Sequence, residues 1–232
     1  MNKFNFLYIK TPKTASELIK RYLRLYGDAA ELKRNPNALG GYFEFDSFEY
    51  SCEHIMMSPK VLKHFFTRNN RQLDSLILTS VRDPLDRMVS HYYFSNIYKG
   101  QMDFNEWYLN YHNNTLPKLK FGWKPNYELG HFEPVYNSLD NYQLQYLGLL
   151  EPDNVFVLYD YVFISERVEE QFDEFEKIVD YKFERYEGEK KINHNKNYPD
   201  EIIISEEVKN IFMERNQKDY QLYDYVYKNY FN

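Results

Sequence analysis

At 232 residues the chain is long enough for one large domain with a real core and too short to require a second. Its net charge is −6, with 29 Lys and Arg interspersed among 35 Asp and Glu, which argues against nucleic acid or an anionic membrane as the main partner but not against one local basic pocket. Cys52 is the only cysteine, so an intrachain disulfide and a cysteine-rich zinc site are excluded.

Residues 4–26, FNFLYIKTPKTASELIKRYLRLY, read as strand, loop and helix. A short apolar run (Phe4, Phe6, Leu7, Tyr8, Ile9) has the length of a buried strand. Pro12 lacks an N–H and biases Thr11 away from helix, so the pattern breaks there. Leu18, Tyr22, Leu25 and Tyr26 then recur at helical spacing, with Ile19 and Leu23 widening the stripe. Such a unit aims unpaired N–H groups and the positive end of a helix at the loop, where Lys13 adds a charge for an anion. The Walker glycines are absent, and taken alone the motif is better read as an ordinary strand-to-helix turn with a solvated lysine.

Turn signals occupy residues 35–41, followed by YFEFDSFEY (residues 42–50) with strand character. His54 falls in a loop before Ser58-Pro59, an N-cap and first residue for a helix to about Thr67. Residues 73–81, LDSLILTSV, form the clearest buried strand, and Asp83 and Pro84 cap and open a helix with Leu85, Met88, Val89 and Tyr92 on its apolar face. Arg82 thus stands at the carboxyl end of a strand, the edge where open α/β sheets place ligands, and its fork suits a phosphate. A structural salt bridge is the competing reading. Ser90, two turns into the helix, offers a hydroxyl.

The loop with PKTAS (residues 12–16) and the strand and helix of SVRDPLDRMVSHYYF (residues 80–94) resemble the two cofactor motifs of sulfotransferases that use 3′-phosphoadenosine 5′-phosphosulfate (PAPS). The likeness is greatest to the heparan sulfate 2-O-sulfotransferase group and its microbial relatives. The resemblance implies an α/β, P-loop-like three-layer fold with a central, mainly parallel sheet flanked by helices. It also implies that Lys13, Thr14, Ala15 and Ser16 cradle the 5′-phosphosulfate and that Arg82 and Ser90 hold the 3′-phosphate. His54 stands where that group carries the second histidine of an H-x-H element, the first falling on Cys52. NYQLQYL (residues 141–147), NVFVLY (154–159) and KKINHNK (190–196) resemble a family helix, the strand after it and the closing loop. The chain departs from the pattern at Glu17 and Leu18, where the family often has Thr or Ser, and in the missing first histidine.

Residues 99–136 are the least regular stretch and mix Trp107, Trp123, His112, His131, Lys118, Lys120 and Lys124 with Tyr and Phe. Long irregular segments inside compact domains are often functional, so acceptor recognition is expected there, against the alternative of a surface excursion with its own small core. Beyond it the pattern predicts a helix over 138–150, a strand over 155–159 and a helix over 165–179 with Val168, Phe172, Phe175 and Val179 buried. After a polar loop, Ser205 caps a long terminal helix with Glu206 and Glu207 in its first turn.

The resulting expectation is a single domain over residues 1–232 that transfers a sulfuryl group from PAPS to a hydroxyl acceptor, a saccharide or small metabolite, by in-line displacement. Lys13 stabilises the leaving charge and His54 is the general base, with His91 and Glu53 weaker candidates. No metal is expected. No apolar run long enough to span a membrane occurs, and the first apolar stretch is too short for a signal peptide, so a soluble cytoplasmic protein is expected. The competing functions are a P-loop-type nucleotide kinase and a non-catalytic glycan-binding module on a degenerate sulfotransferase fold.

Overall fold

The computed structural model of the chain describes residues 4–9, 11, 13–24, 42–44, 48–53, 75–95, 102–115, 140–183 and 201–231. Among the described residues, five strands form one sheet in the order β2-β3-β1-β4-β5, with β1 Phe4–Ile9, β2 Tyr42–Glu44, β3 Phe48–Glu53, β4 Ser75–Val81 and β5 Tyr161–Ile164. β3, β1, β4 and β5 run parallel and β2 is antiparallel to β3. The aromatic segment YFEFDSFEY, expected to have strand character, supplies β2 and the start of β3. The helices are α1 Ser16–Arg24, α2 Pro84–Ser95, α3 Phe104–His112, α4 Tyr142–Tyr146, α5 Val155–Leu158, α6 Val168–Ile178, α7 Glu206–Arg215 and α8 Gln217–Phe231.

Strand residues alternate between two apolar layers, as a period of two requires. Tyr8, Leu78, Tyr161 and Phe163 face α1 and α6, where Ile19, Tyr22, Leu23, Phe172 and Phe175 are buried. Ile9, Val81, Val162 and Ile164 face the opposite layer, built from α4, α5 and α8. Helices therefore cover both faces, the three-layer α/β arrangement expected for a buried parallel sheet. A third cluster joins α2, α3 and α7 through Met88, Tyr92, Phe104, Trp107, Tyr108 and Phe212. Edge strand β5 is closed by side chains: Gln171 accepts from the Ile164 N–H and donates to the Val162 carbonyl, and Tyr230 Oη accepts from the Val162 N–H at 3.1 Å. Among the described residues no helix is long and apolar enough to cross a membrane.

Four expectations need correction. Residues 155–158 are helical, and the strand lies one step later, at Tyr161–Ile164. A short apolar run does not by itself distinguish buried strand from helix. Here Pro152 opens a 3-10 turn that leads into α5, Val157 is left exposed, and Asp160 docks on β4, its carboxylate accepting from Ile77 N–H at 2.6 Å and its N–H donating to Ile77 carbonyl at 2.8 Å. Within the supposedly irregular stretch, residues 104–112 are a regular helix capped by Asp103, whose Oδ1 accepts from Glu106 N–H at 2.9 Å. Phe104, Trp107 and Tyr108 are core residues rather than an open stacking surface. The expected helix over 138–150 is reduced to α4, Tyr142–Tyr146. The terminal helix does start at Ser205, whose Oγ accepts from Val208 N–H at 3.3 Å, but it breaks at Asn216 into α7 and α8.

Candidate functional site

β1 and β4 are neighbours, with Ile9 opposite Thr79, so the segments that follow them leave the same carboxyl edge of the sheet. The loop after β1 contains no glycine, yet Lys13 (φ 68°) and Ala15 (φ 53°) both take the left-handed conformation. For residues with a Cβ this costs of order 1–2 kcal/mol each, so the surroundings must hold it. Buried hydroxyls do so. Thr14 Oγ1 donates its one proton to the Thr11 carbonyl at 2.8 Å, so in the 2.6 Å contact with Ser80 it is the serine that donates. Tyr8 in turn donates to Ser80 Oγ at 2.7 Å. By the same count, Thr79 donates to the Ile9 carbonyl at 2.9 Å and receives Thr11 Oγ1 at 3.3 Å. Thr11, Thr14, Thr79 and Ser80 are all fully buried, so these bonds are shielded from water and fix the loop to β4.

The Ala15 carbonyl receives the N–H groups of Leu18 and Ile19 at 2.9 and 3.1 Å, which starts the α1 ladder. The N–H groups ahead of Leu18 precede that ladder and have no carbonyl of the helix to donate to, and alternating left-handed residues there produce the concave backbone that binds anions. Lys13 adds its ammonium there. Burial, and then the Arg82 guanidinium, lower its pKa to about 8, the sign of a cation held among cations in a partly desolvated place.

Arg82 meets this loop from β4. Its Nη1 lies 3.5 Å from the Lys13 carbonyl, which joins the two sequence motifs directly. The backbone of Arg82 is clamped on both sides by the buried Gln143: Oε1 accepts from the Arg82 N–H and Nε2 donates to the Arg82 carbonyl, each at 2.9 Å. Gln143 is itself set by Asp219 of α8, a buried carboxylate that accepts from the N–H groups of Gln143 and Leu144 at 2.9 and 2.8 Å. The guanidinium, by contrast, is underused. Its Nε is buried and has no hydrogen-bond partner among the described residues, with Glu166 Oε1 at 3.6 Å and Asp86 Oδ2 at 4.0 Å from Nη2. A buried donor left in that state is costly unless a ligand or water takes it.

More positive charge lies behind it on α2. Arg87 is buried, stacks over the Tyr142 ring at 4.2 Å, and its Nε and Nη1 have no hydrogen-bond partner among the described residues. Burial, then the charges of Arg87 and Lys13, push His91 down to about 3. A neutral imidazole with so low a pKa is a poor proton acceptor near pH 7, which weighs against His91 as a base. Ser90 is half-buried in the second turn of α2.

Lys13, Thr14, Ala15, Ser16 and Arg82 are thus brought to one corner of the sheet edge. His54 lies outside the described residues. The residue before it, Glu53, ends β3 and pairs with Ile9 at the same edge. Glu17 lies in the first turn of α1, its side chain outside the described residues, as are the helix expected to about Thr67, residues 116–139 with Trp123 and Lys124, and the closing loop at 190–196. Sequence reasoning missed Gln143 and Glu166, which act on Arg82 from far along the chain and carry no local pattern.

A search of curated proteins finds no match. A family model described as Sulfotransferase family matches residues 2–226. That match spans nearly the whole length and includes both motifs at the sheet edge: the chain belongs to the sulfotransferase family.

Proposed function

We propose that this protein transfers a sulfuryl group from PAPS to a hydroxyl group, with a saccharide or small metabolite as acceptor. The observation that carries the reading is the meeting of the left-handed Lys13–Ala15 loop with a guanidinium whose Nε is buried and unsatisfied among the described residues. Two anion-binding corners in contact fit a ligand that carries phosphates at both the 3′ and the 5′ position of one ribose.

In this reading Thr14, Ala15 and Ser16 hold the 5′-phosphosulfate through the loop and the first turn of α1, and Arg82 with Ser90 holds the 3′-phosphate. PAPS supplies the sulfuryl group together with a leaving phosphate oxygen. Lys13 neutralises the negative charge that gathers on that oxygen as the S–O bond to the 5′-phosphate breaks and the S–O bond to the acceptor forms. His54 takes the acceptor hydroxyl proton, and the products are the sulfate ester and adenosine 3′,5′-bisphosphate. Support for His54 comes from its place in the sequence directly after Glu53, at the edge where Ile9 ends.

The test is incubation with PAPS and a panel of saccharide and small-molecule alcohols, following release of adenosine 3′,5′-bisphosphate. Acceptor-dependent release supports the reading. No release with any acceptor, combined with Mg²⁺-dependent turnover of ATP, would replace it with a kinase.

A further inference from the structure

Glu166 sits in the short 3-10 turn Ser165–Arg167 that joins β5 to α6, at the same edge as Arg82. Its Oε1 faces the Arg82 Nε at 3.6 Å and accepts from the Asp83 N–H at 3.4 Å, and its Oε2 accepts from the Tyr223 hydroxyl at 3.3 Å. The carboxylate is therefore steered to the guanidinium by two donors on other elements, without closing a hydrogen bond to it. Its side chain is about one-third exposed and lines a cleft of about 310 Å³ together with Leu18, Arg167 and Val168, so it has room to turn away from Arg82. Asp86 is more exposed and farther, at 4.0 Å.

We propose that Glu166 is a positioning residue that occupies the electrostatic field of Arg82 when no ligand is bound and yields it to the 3′-phosphate. This rests on the assignment of Arg82 to that phosphate. Two anions cannot share one guanidinium at close range without repulsion, so every 3′-phosphate that binds does so against Glu166. The carboxylate keeps Arg82 extended toward the site at the cost of affinity, and that cost falls only on ligands that carry a 3′-phosphate. Glutamine at this position keeps an acceptor for the Asp83 N–H and a partner for the Tyr223 hydroxyl while removing the charge.

The experiment is calorimetric titration of the full chain and of Glu166→Gln and Glu166→Asp with adenosine 3′,5′-bisphosphate and with adenosine 5′-monophosphate. The expected result is bisphosphate binding about fivefold tighter in Glu166→Gln, the upper range for a partly exposed ion pair, with monophosphate affinity unchanged. Glu166→Asp retains the charge and stays near the parent. Equal or weaker bisphosphate binding in Glu166→Gln, or a parallel change for both nucleotides, overturns the proposal and leaves the 3′-phosphate assignment standing. Equal affinity of the unaltered chain for the two nucleotides overturns both.

Discussion

Gln143 grips the peptide groups of Arg82 from both sides, giving and taking one hydrogen bond of 2.9 Å each. Arg82 is the first residue past β4, where the ladder with β5 has ended at Val81 opposite Ile164, so the glutamine continues the sheet by one step and fixes where the guanidinium starts. Gln143→Ala leaves two peptide groups without those partners. It is expected to lower stability by about 1–3 kcal/mol and to weaken adenosine 3′,5′-bisphosphate more than the 5′-monophosphate. Chemical denaturation and paired titrations check this, and an unchanged ratio of the two affinities would show the clamp to be structural only.

Arg82→Ala removes the guanidinium itself. Charge-assisted hydrogen bonds contribute about 1.5–3 kcal/mol, so bisphosphate affinity is expected to fall roughly 10- to 100-fold. Unchanged affinity would remove Arg82 from the 3′-phosphate.

Lys13 sets a pH dependence. Burial and Arg82 hold its pKa at about 8, so the ammonium is charged at pH 7 and largely neutral at pH 9. A bound anion favours the charged form and raises the pKa, so protons are taken up on binding near pH 8. Bisphosphate affinity is expected to fall as pH rises from about 7 to 9, and Lys13→Arg flattens that fall. Titrations in buffers of different ionisation enthalpy measure the uptake, and proton release instead would contradict the account.

Trp107 is a core residue. It is packed against Tyr92 at 5.1 Å and Phe104 at 5.9 Å between ring centroids. Trp107→Ala is expected to cost about 3–5 kcal/mol of stability without changing nucleotide affinity in the folded fraction. A stable variant with a selectively raised acceptor KM would return Trp107 to the acceptor site.

What was legible in the sequence were features with a local cause. β1 and β4 are bounded apolar runs, Ser205 is an N-cap, and the stripe of Val168, Phe172, Phe175 and Val179 keeps helical spacing. Asp103 with Glu106 was an equally local signal of α3, overshadowed by the aromatic residues around it. β5 was misplaced because two apolar runs lie side by side, and only the docking of Asp160 on Ile77 decides between them. The break at Asn216 depends on distant partners: its Oδ1 accepts from Asn141 N–H, and Asn141 Oδ1 accepts from the N–H groups of Lys218 and Asp219. At the site, the Lys13 loop and Arg82 stood out as motifs. Their contact, the clamp by Gln143 and the carboxylate of Glu166 arise only when residues more than sixty positions apart are folded together.

His54 carries the chemical step in this account. His54→Ala is expected to lower turnover roughly 10²- to 10⁴-fold while bisphosphate affinity stays within about twofold. Full activity would dismiss it as the base.

The measurement closest to the central claim is calorimetric titration with adenosine 3′,5′-bisphosphate beside ADP with Mg²⁺ under the same conditions. The account predicts tight, metal-independent binding of the bisphosphate and weak binding of ADP. Preference for ADP with Mg²⁺, or binding of neither, would contradict it.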